Sequence, residues 1–349
     1  MKPVHFIVPG EIKTRTGGFI YDRRIVAELI AQGFSVEVHE LPPGWPVPDD
    51  YALAAAAQVL AAIPDDSLVI VDGLALGVLP EEAATHAQRL RLIALVHHPL
   101  AEETGLSREE RDDFAYSERA ALAQVRHVIA TSGFTADALL DYGVDRHKIS
   151  VVLPGVDRVP LAMGAGRRET AMLCVATLTP RKAHDVLLNA LSQLGNRPWR
   201  LHLVGSELRH PRHALGIRQL CDRLQLGSRV TFHGELGGRE LDRVYHRSDL
   251  FVLASHYEGY GMVITEAVAR GLPVVTTAGG ALGHTLPNGA GLLAPPGDVA
   301  ALRDVLRRVL DEPGLLDRLR QGAIAARERL PTWSQTAQNC ARLLESLAR

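Results

Sequence analysis

What this chain has little of narrows its role before any motif is considered. Its three cysteines, Cys174, Cys221 and Cys340, lie far apart with no Cys-x-x-Cys pair, so neither a disulfide framework nor a cysteine-based zinc site is expected. Aromatic residues make up only 5% of 349 residues. That leaves few platforms on which bases could stack, and a nucleic-acid-coating role is not expected. The longest apolar stretch, Ala52 to Ile63, is broken by Gln58 and falls well short of the ~20 residues a membrane helix needs. The opening MKPVHFIVPGE reads as a strand entering a glycine turn rather than as a secretory leader, so a cytoplasmic location is the expectation. Net charge is nearly absent too, at −2. Residues 1–160 nevertheless hold 14 basic against 23 acidic side chains, whereas residues 161–349 hold 24 against 17. An acidic half followed by a basic half suits a domain that holds a small anion, and equally an unevenly composed solvated surface.

What is present is a 46% hydrophobic chain about twice the length of a common domain. Short runs rich in Val, Ile and Leu, at Val4–Val8, Ser35–His39, Leu68–Val71, Leu92–Val96 and Val128–Ala130, read as fully buried parallel strands. Helical patterns fall between them at Tyr21–Gln32, Tyr51–Ala62 and Arg111–Ala123. The rhythm restarts with strands at Ala171–Ala176, Arg200–Val204, Arg229–His233, Leu250–Ala254 and Pro273–Thr276, again with helices between. Pro154–Thr170, rich in Pro and Gly without periodicity, is the linker candidate. The expectation is therefore an α/β protein with two Rossmann-like domains, residues 1–160 and 161–331, facing each other across a cleft, and a last helix over 332–349. Ligands in such sheets bind at the carboxyl ends of strands, so the loops there are where chemistry is sought.

Four of those loops carry candidates. Gly17-Gly18, ahead of the first helix, permits close backbone approach to an anion, although neither a G-x-G-x-x-G nor a Walker pattern is present. His97-His98 directly follows the fourth strand, where an imidazole can donate or accept near neutral pH. Arg181 and Lys182 precede a helix that has Asp185 in its first turn, a combination of fixed cations and free N–H groups suited to phosphate. Glu258-Gly259-Tyr260-Gly261 leads into a short helix from Met262 that carries Glu266. Two carboxylates so placed can accept paired hydrogen bonds from a polyhydroxylated ligand. Each feature alone is equally compatible with an ordinary turn or a solvated surface.

Taken in order, these segments resemble the retaining nucleotide-sugar glycosyltransferases of family 4. The E-x7-E spacing of Glu258 and Glu266 within EGYGMVITEAVARGLPVV, the early Gly-Gly, His97, Ala130-Thr131-Ser132, VVLPGVD, TPRKAHDVLL and GLLAPPGD all follow that pattern. The resemblance implies the GT-B fold, with the C-terminal helix crossing back to the first domain. It also implies transfer of a hexose-type sugar from a UDP- or GDP-sugar, as co-substrate, with retention by same-face displacement. Glu266 would then bind the donor ribose and Glu258 the transferred sugar. Arg181 and Lys182 would hold the diphosphate, helped by backbone N–H groups at Tyr260, Gly261 and Met262 and by Gly18. His97 would lie beside the reacting sugar, with Gly17, His98, Thr131 and Ser132 on the acceptor side. No Asp-x-Asp pair follows a strand in a phosphate loop, so no metal and no other cofactor is expected to be required. Three positions depart from the family: Ala176-Thr177 stands where Gly-Arg is common, Ala183 replaces a glycine, and Gly279-Gly280 is not followed by Pro-Glu.

The acceptor is the least specified partner. The net-acidic first half offers Lys13, Arg15, Arg23 and Arg24 as its modest basic cluster. Each adds only ~1 kcal/mol at an anionic membrane surface, so a small soluble acceptor is favoured over a glycolipid. Rival readings on the same fold are a nucleotide-sugar epimerase, a glucan phosphorylase and a non-catalytic nucleotide-sugar binder. The phosphorylase would need a pyridoxal-bearing lysine, and lysines are few.

Overall fold

The computed structural model describes residues 3–166 and 169–348. Met1 and Lys2 of the first strand segment, Arg167 and Arg168 of the expected linker, and the terminal Arg349 lie outside the described residues. The chain forms two compact units, one made of residues up to Gly155 together with those from Pro331, the other of Val156–Leu330. Residues 156–166, expected to be linker, pack on the second unit. There Ala162 is buried and its N–H donates to the Arg270 carbonyl at 2.8 Å.

In the first unit, β1 (Val4–Val8), β2 (Val36–Glu40), β3 (Leu68–Asp72), β4 (Arg91–Val96), β5 (His127–Ala130) and β6 (Ile149–Val151) form one parallel sheet in the order β2-β1-β3-β4-β5-β6. The central strands are buried along their length because helices cover both faces. Strand β2 departs from the expectation of full burial: Glu37, Val38 and Glu40 are exposed. It is an edge strand, covered less completely than those inside.

The second unit repeats the architecture with β7 (Thr170–Val175), β8 (Trp199–Val204), β9 (Val230–Phe232), β10 (Leu250–Leu253), β11 (Val274–Thr277) and β12 (Gly291–Ala294). Their order is β12-β11-β10-β7-β8-β9, again all parallel. Strands β6 and β12, absent from the sequence reading, are both short and lie at sheet edges. Each sheet has one place where chain progression reverses direction, between β1 and β3 in the first and between β7 and β10 in the second. Loops leaving such neighbouring strands diverge to opposite sides and open a crevice.

The last helix, Trp333–Ala348, belongs to the first unit. Its buried residues Trp333, Thr336, Ala337, Cys340, Ala341 and Leu344 recur at three- and four-residue steps, a single apolar stripe. The Trp333 ring meets the Tyr21 ring edge-on at 5.9 Å, and Arg24 lies 5.1 Å over the same indole. Thr336 donates to the Leu153 carbonyl at 2.9 Å, and Arg91 to that of Leu347 at 2.9 Å. All three cysteines are buried and unbridged. Among the described residues no helix is long and apolar enough to cross a membrane.

At Gly155 the first unit's two chain segments lie backbone against backbone. A β-carbon there would stand 2.4 Å from the Trp333 backbone nitrogen, and backbone cannot rotate away as a side chain can. Gly155→Ala is therefore expected to lower stability by about 1–3 kcal/mol, the usual cost of overpacking, read as a lower urea midpoint. An unchanged midpoint would show that the Trp333 segment gives way freely.

Candidate functional site

In the second unit the loops after β7 and β10 are joined by charge. The loop after β7 carries Arg181 and Lys182 in a single 3-10 turn, Pro180–Lys182. The loop after β10 carries Glu258, which is only 6% exposed. Lys182 Nζ lies 2.5 Å from Glu258 Oε1, and Arg181 Nη1 lies 3.1 Å from Oε2. Ser255 Oγ also donates to Oε1 at 2.7 Å. Burial would by itself push the Glu258 carboxyl up. Lys182 and Arg181 outweigh it and hold the group down at about 2. The backbone closes the same circuit, since Arg181 donates to the Tyr257 carbonyl at 2.9 Å and the His256 N–H to the Arg181 carbonyl at 2.8 Å. Two cations thus converge on one buried carboxylate across the switch point.

The helix that follows, Met262–Ala269, starts at Gly261 in the left-handed region (φ +86°), where a β-carbon would meet Leu282 at 2.6 Å. Glycine is thus favoured by the angle, and a β-carbon would also push the Leu282 side chain aside. The first turn contains no acidic residue, so no carboxylate offsets its dipole there. Gly280, also at positive φ, lies against the Glu258 backbone, where a β-carbon would be 2.4 Å from its carbonyl oxygen. Glu266 is engaged from a different direction. Tyr245 donates to it at 3.2 Å, and burial raises its carboxyl although Arg270 and Tyr245 pull the other way. The family's missing glycine has a visible consequence: Ala183 sits at φ +48° and is fully buried. The left-handed angle costs roughly 1–2 kcal/mol, while the buried methyl returns about 0.8 kcal/mol.

The first unit assembles a second charged cluster at its own switch point. His97 follows β4, Asp72 is the last residue of β3, and Asp22 lies in the helix Gly17–Ala31 that follows β1. His97 Nε2 is 3.2 Å from Asp22 Oδ1 and 3.3 Å from Asp72 Oδ2. Burial alone would lower the imidazole, but the two carboxylates hold it well above its usual value, so it is protonated at neutral pH. Asp22, fully buried beside Asp72, is pushed up. Both acidic contacts fall on Nε2, and the His97 side chain is 18% exposed. The opposite nitrogen, Nδ1, is then the donor left for a ligand.

Glycine again makes the approach possible. A β-carbon at Gly18 would be 3.2 Å from the His97 ring. Gly17 and Gly18 are the first two residues of the helix rather than residues ahead of it, because Thr16 is the N-cap. The His97 carbonyl receives Thr135 Oγ1 at 3.2 Å and Thr131 Oγ1 at 3.4 Å, while Ser132 caps the helix Gly133–Ala138. His98 turns instead toward Glu103 at 3.6 Å. Just beyond, the Leu100 N–H donates to the buried Glu118 at 2.9 Å, which pins the loop. Asp22, Asp72 and Thr135 escaped the sequence reading, although an aspartate closing the apolar run LVIVD was a usable signal. Asp22, Asp72 and His97 also place three ligand-type atoms within 4.8 Å of one another. With His97 protonated, the three groups form an ion-paired network. Of the basic cluster considered for membranes, Arg23 is drawn inward to the Ile12 carbonyl at 2.8 Å and Arg24 onto Trp333.

The chain as a whole is similar to known proteins. Residues 35–159 match the model described as Glycosyltransferase Family 4, and residues 164–326 match Glycosyl transferases group 1. The chain belongs to glycosyltransferase family 4. A mannosylfructose-phosphate synthase of Agrobacterium fabrum is 34% identical over 238 residues, 62% of this chain and 52% of that protein. A D-inositol 3-phosphate glycosyltransferase of Rhodococcus jostii is 32% identical over 281 residues, 73% and 61% respectively. This family member therefore spans about half to three fifths of the length of those relatives. Among solved structures, the sucrose-phosphate synthase from Thermosynechococcus elongatus superposes with a TM-score of 0.84 at 23% identity, covering 99% of both chains. That likeness supports the two-domain GT-B fold.

The Glu258 network of this glycosyltransferase-family chain makes a pH prediction. Its carboxyl titrates at 4.5 when unperturbed and about 2 in the fold, so its ionised form contributes about 3 kcal/mol of stability at neutral pH. The depressed value means that this contribution is present above pH 4.5 and lost as pH falls toward 2. Glu258→Gln removes it, so the stability gap between wild type and variant is expected to narrow between pH 7 and pH 3 in urea titrations. A gap that stays constant with pH would contradict the ion-pair geometry.

Proposed function

We propose that this chain is a retaining hexosyltransferase that takes its sugar from a UDP- or GDP-sugar. The observation that supports this most is the buried Glu258 joined to Arg181 and Lys182 across the second unit's switch point. It fixes two cations near the amino end of the helix Met262–Ala269. A nucleotide diphosphate leaving group gains negative charge as its bond to the sugar breaks, and fixed cations with backbone donors stabilise charge where it develops. In this reading Arg181, Lys182 and the N–H groups around Tyr260, Gly261 and Met262 hold the diphosphate, and Glu266 binds the ribose. Glu258 has its oxygens engaged by Lys182, Arg181 and Ser255. Its first role is then to orient the two cations, and a sugar hydroxyl reaches it by replacing one of those contacts.

His97, held as imidazolium, cannot serve as a general base. It donates from Nδ1 to a hydroxyl of the reacting sugar or acceptor, while Gly17, Gly18, Thr131 and Ser132 shape its surroundings. With no base assigned, the acceptor hydroxyl gives its proton to the departing phosphate oxygen on the same face. The new bond therefore forms with retention. The two cations supply the charge that a divalent metal supplies in other phosphate sites, so the reaction runs without added magnesium or manganese. A small polar acceptor is favoured, in keeping with the phosphorylated small molecules in the relatives' names and with the inward-drawn Arg23 and Arg24.

The test is release of nucleotide from a panel of UDP-, GDP- and ADP-sugars, with candidate acceptors, in buffer with and without EDTA. Lys182→Ala should lower the rate by roughly 10²–10³, about 3 kcal/mol. His97→Ala should lower it by about 10² while the thermal shift produced by the nucleotide diphosphate is kept. No turnover and no donor binding by folded protein would refute the proposal, and conversion of donor without acceptor would point to an epimerase.

A further inference from the structure

We propose that His5, Glu37 and His39 form a binding site for a divalent first-row transition-metal ion, tested most directly with zinc. The site lies at the edge of the first unit's sheet and is separate from the His97 cluster. Strands β1 and β2 pair with His5 opposite Glu37 and Ile7 opposite His39. Side chains alternate along a strand, so Glu37 and His39 share one face of β2, and the register brings His5 to that same face. Three residues 32 and 34 positions apart in sequence thereby converge.

The spacings fit coordination. His5 Nδ1 is 3.0 Å from His39 Nε2 and 3.5 Å from Glu37 Oε2, and the three donor atoms all lie within 4.8 Å of one another. Around a tetrahedral zinc with bonds near 2.0–2.1 Å, ligand atoms stand about 3.3 Å apart. Two imidazoles with one carboxylate are a donor set that zinc, cobalt and nickel accept readily. The two imidazoles are also incompletely satisfied by each other. A single proton serves the pair of nitrogens that face one another, and His5 Nε2, in a ring only 3% exposed, has no hydrogen-bond partner. A metal ion accepts both facing lone pairs at once and takes the carboxylate as well.

All three side chains line a cavity of about 630 Å³ that also touches Gln58 and Ser67. A fourth coordination position would open into that space, where water or a small ligand could complete the shell. Pro3 and Ser67, which also line it, precede β1 and β3, so the cavity lies toward the amino end of the sheet, away from Asp72 and His97. The first consequence of occupancy is mechanical: the ion ties the exposed edge strand β2 to the buried β1. Cysteine and Cys-x-x-Cys patterns give no hint of it, because its ligands come from two strands.

The experiment uses the full chain without a polyhistidine tag, stripped with EDTA, dialysed, and titrated calorimetrically with zinc chloride. Cobalt chloride is titrated in parallel, with its visible spectrum recorded. The expected result is saturable binding of one ion per chain, intense tetrahedral cobalt bands and a higher melting temperature with zinc. Glu37→Gln and His39→Asn should each weaken binding by roughly 100-fold or more and abolish the shift. Glu37 is 55% exposed, so its substitution leaves the fold intact. No binding by wild type, binding unchanged in both variants, or binding lost on His97→Asn instead would overturn the proposal.

Discussion

A single buried carboxylate organises the second unit's site. Glu258 is removed from water, and an ion there is tolerable only if opposite charge and hydrogen-bond donors replace the lost hydration. Lys182, Arg181 and Ser255 provide them, each from the carboxyl end of β7 or β10. The cations are consequently held in place before any ligand arrives. Their positions depend on glycines, above all Gly280, which lies against the Glu258 backbone, and Gly261, whose left-handed angle starts the next helix. Preorganisation of this kind matters for catalysis because no reorganisation is needed when charge moves.

The first unit solves a related problem with the signs reversed. Two buried aspartates hold one imidazole, and Gly18 lets the ring lie against the first turn of the neighbouring helix. Both clusters occur where the strand order of their sheet reverses, which is a property of the topology rather than of any motif. The charge asymmetry between the two halves of the chain is in large part a property of the surface. Many arginines of the second unit are engaged with nearby acids at its surface, as in Arg197–Asp311, Arg200–Glu169 and Arg218–Glu207. Such exposed pairs contribute little individually. Arg181 and Lys182 differ in that both meet a buried carboxylate, Glu258.

Much of the architecture was legible because buried parallel strands announce themselves as continuous apolar runs between amphipathic helices. The central strands of both units were found close to their observed limits. Of the edge strands, β2 and β9 were located and β6 and β12 were missed, while β2 was read as buried although most of it is exposed. Candidate positions such as His97, Lys182 and Glu258 were visible because loops after strands invite inspection. Their partners were harder to see. Asp22 looks like any helix acid, and only the packing shows that it meets His97.

The sequence by itself determined the fold class, the doubling of the α/β unit and the loops in which polar residues matter, because periodicity and turn chemistry are local properties. Only the tertiary structure decided which charges neutralise which, since pairs such as Lys182 with Glu258 and His97 with Asp22 are 76 and 75 residues apart. Whether a titratable group is ionised depends on burial and on neighbours that the chain brings together only when it folds. The same holds for His5, Glu37 and His39, three unremarkable residues until strand register places their donor atoms around one point.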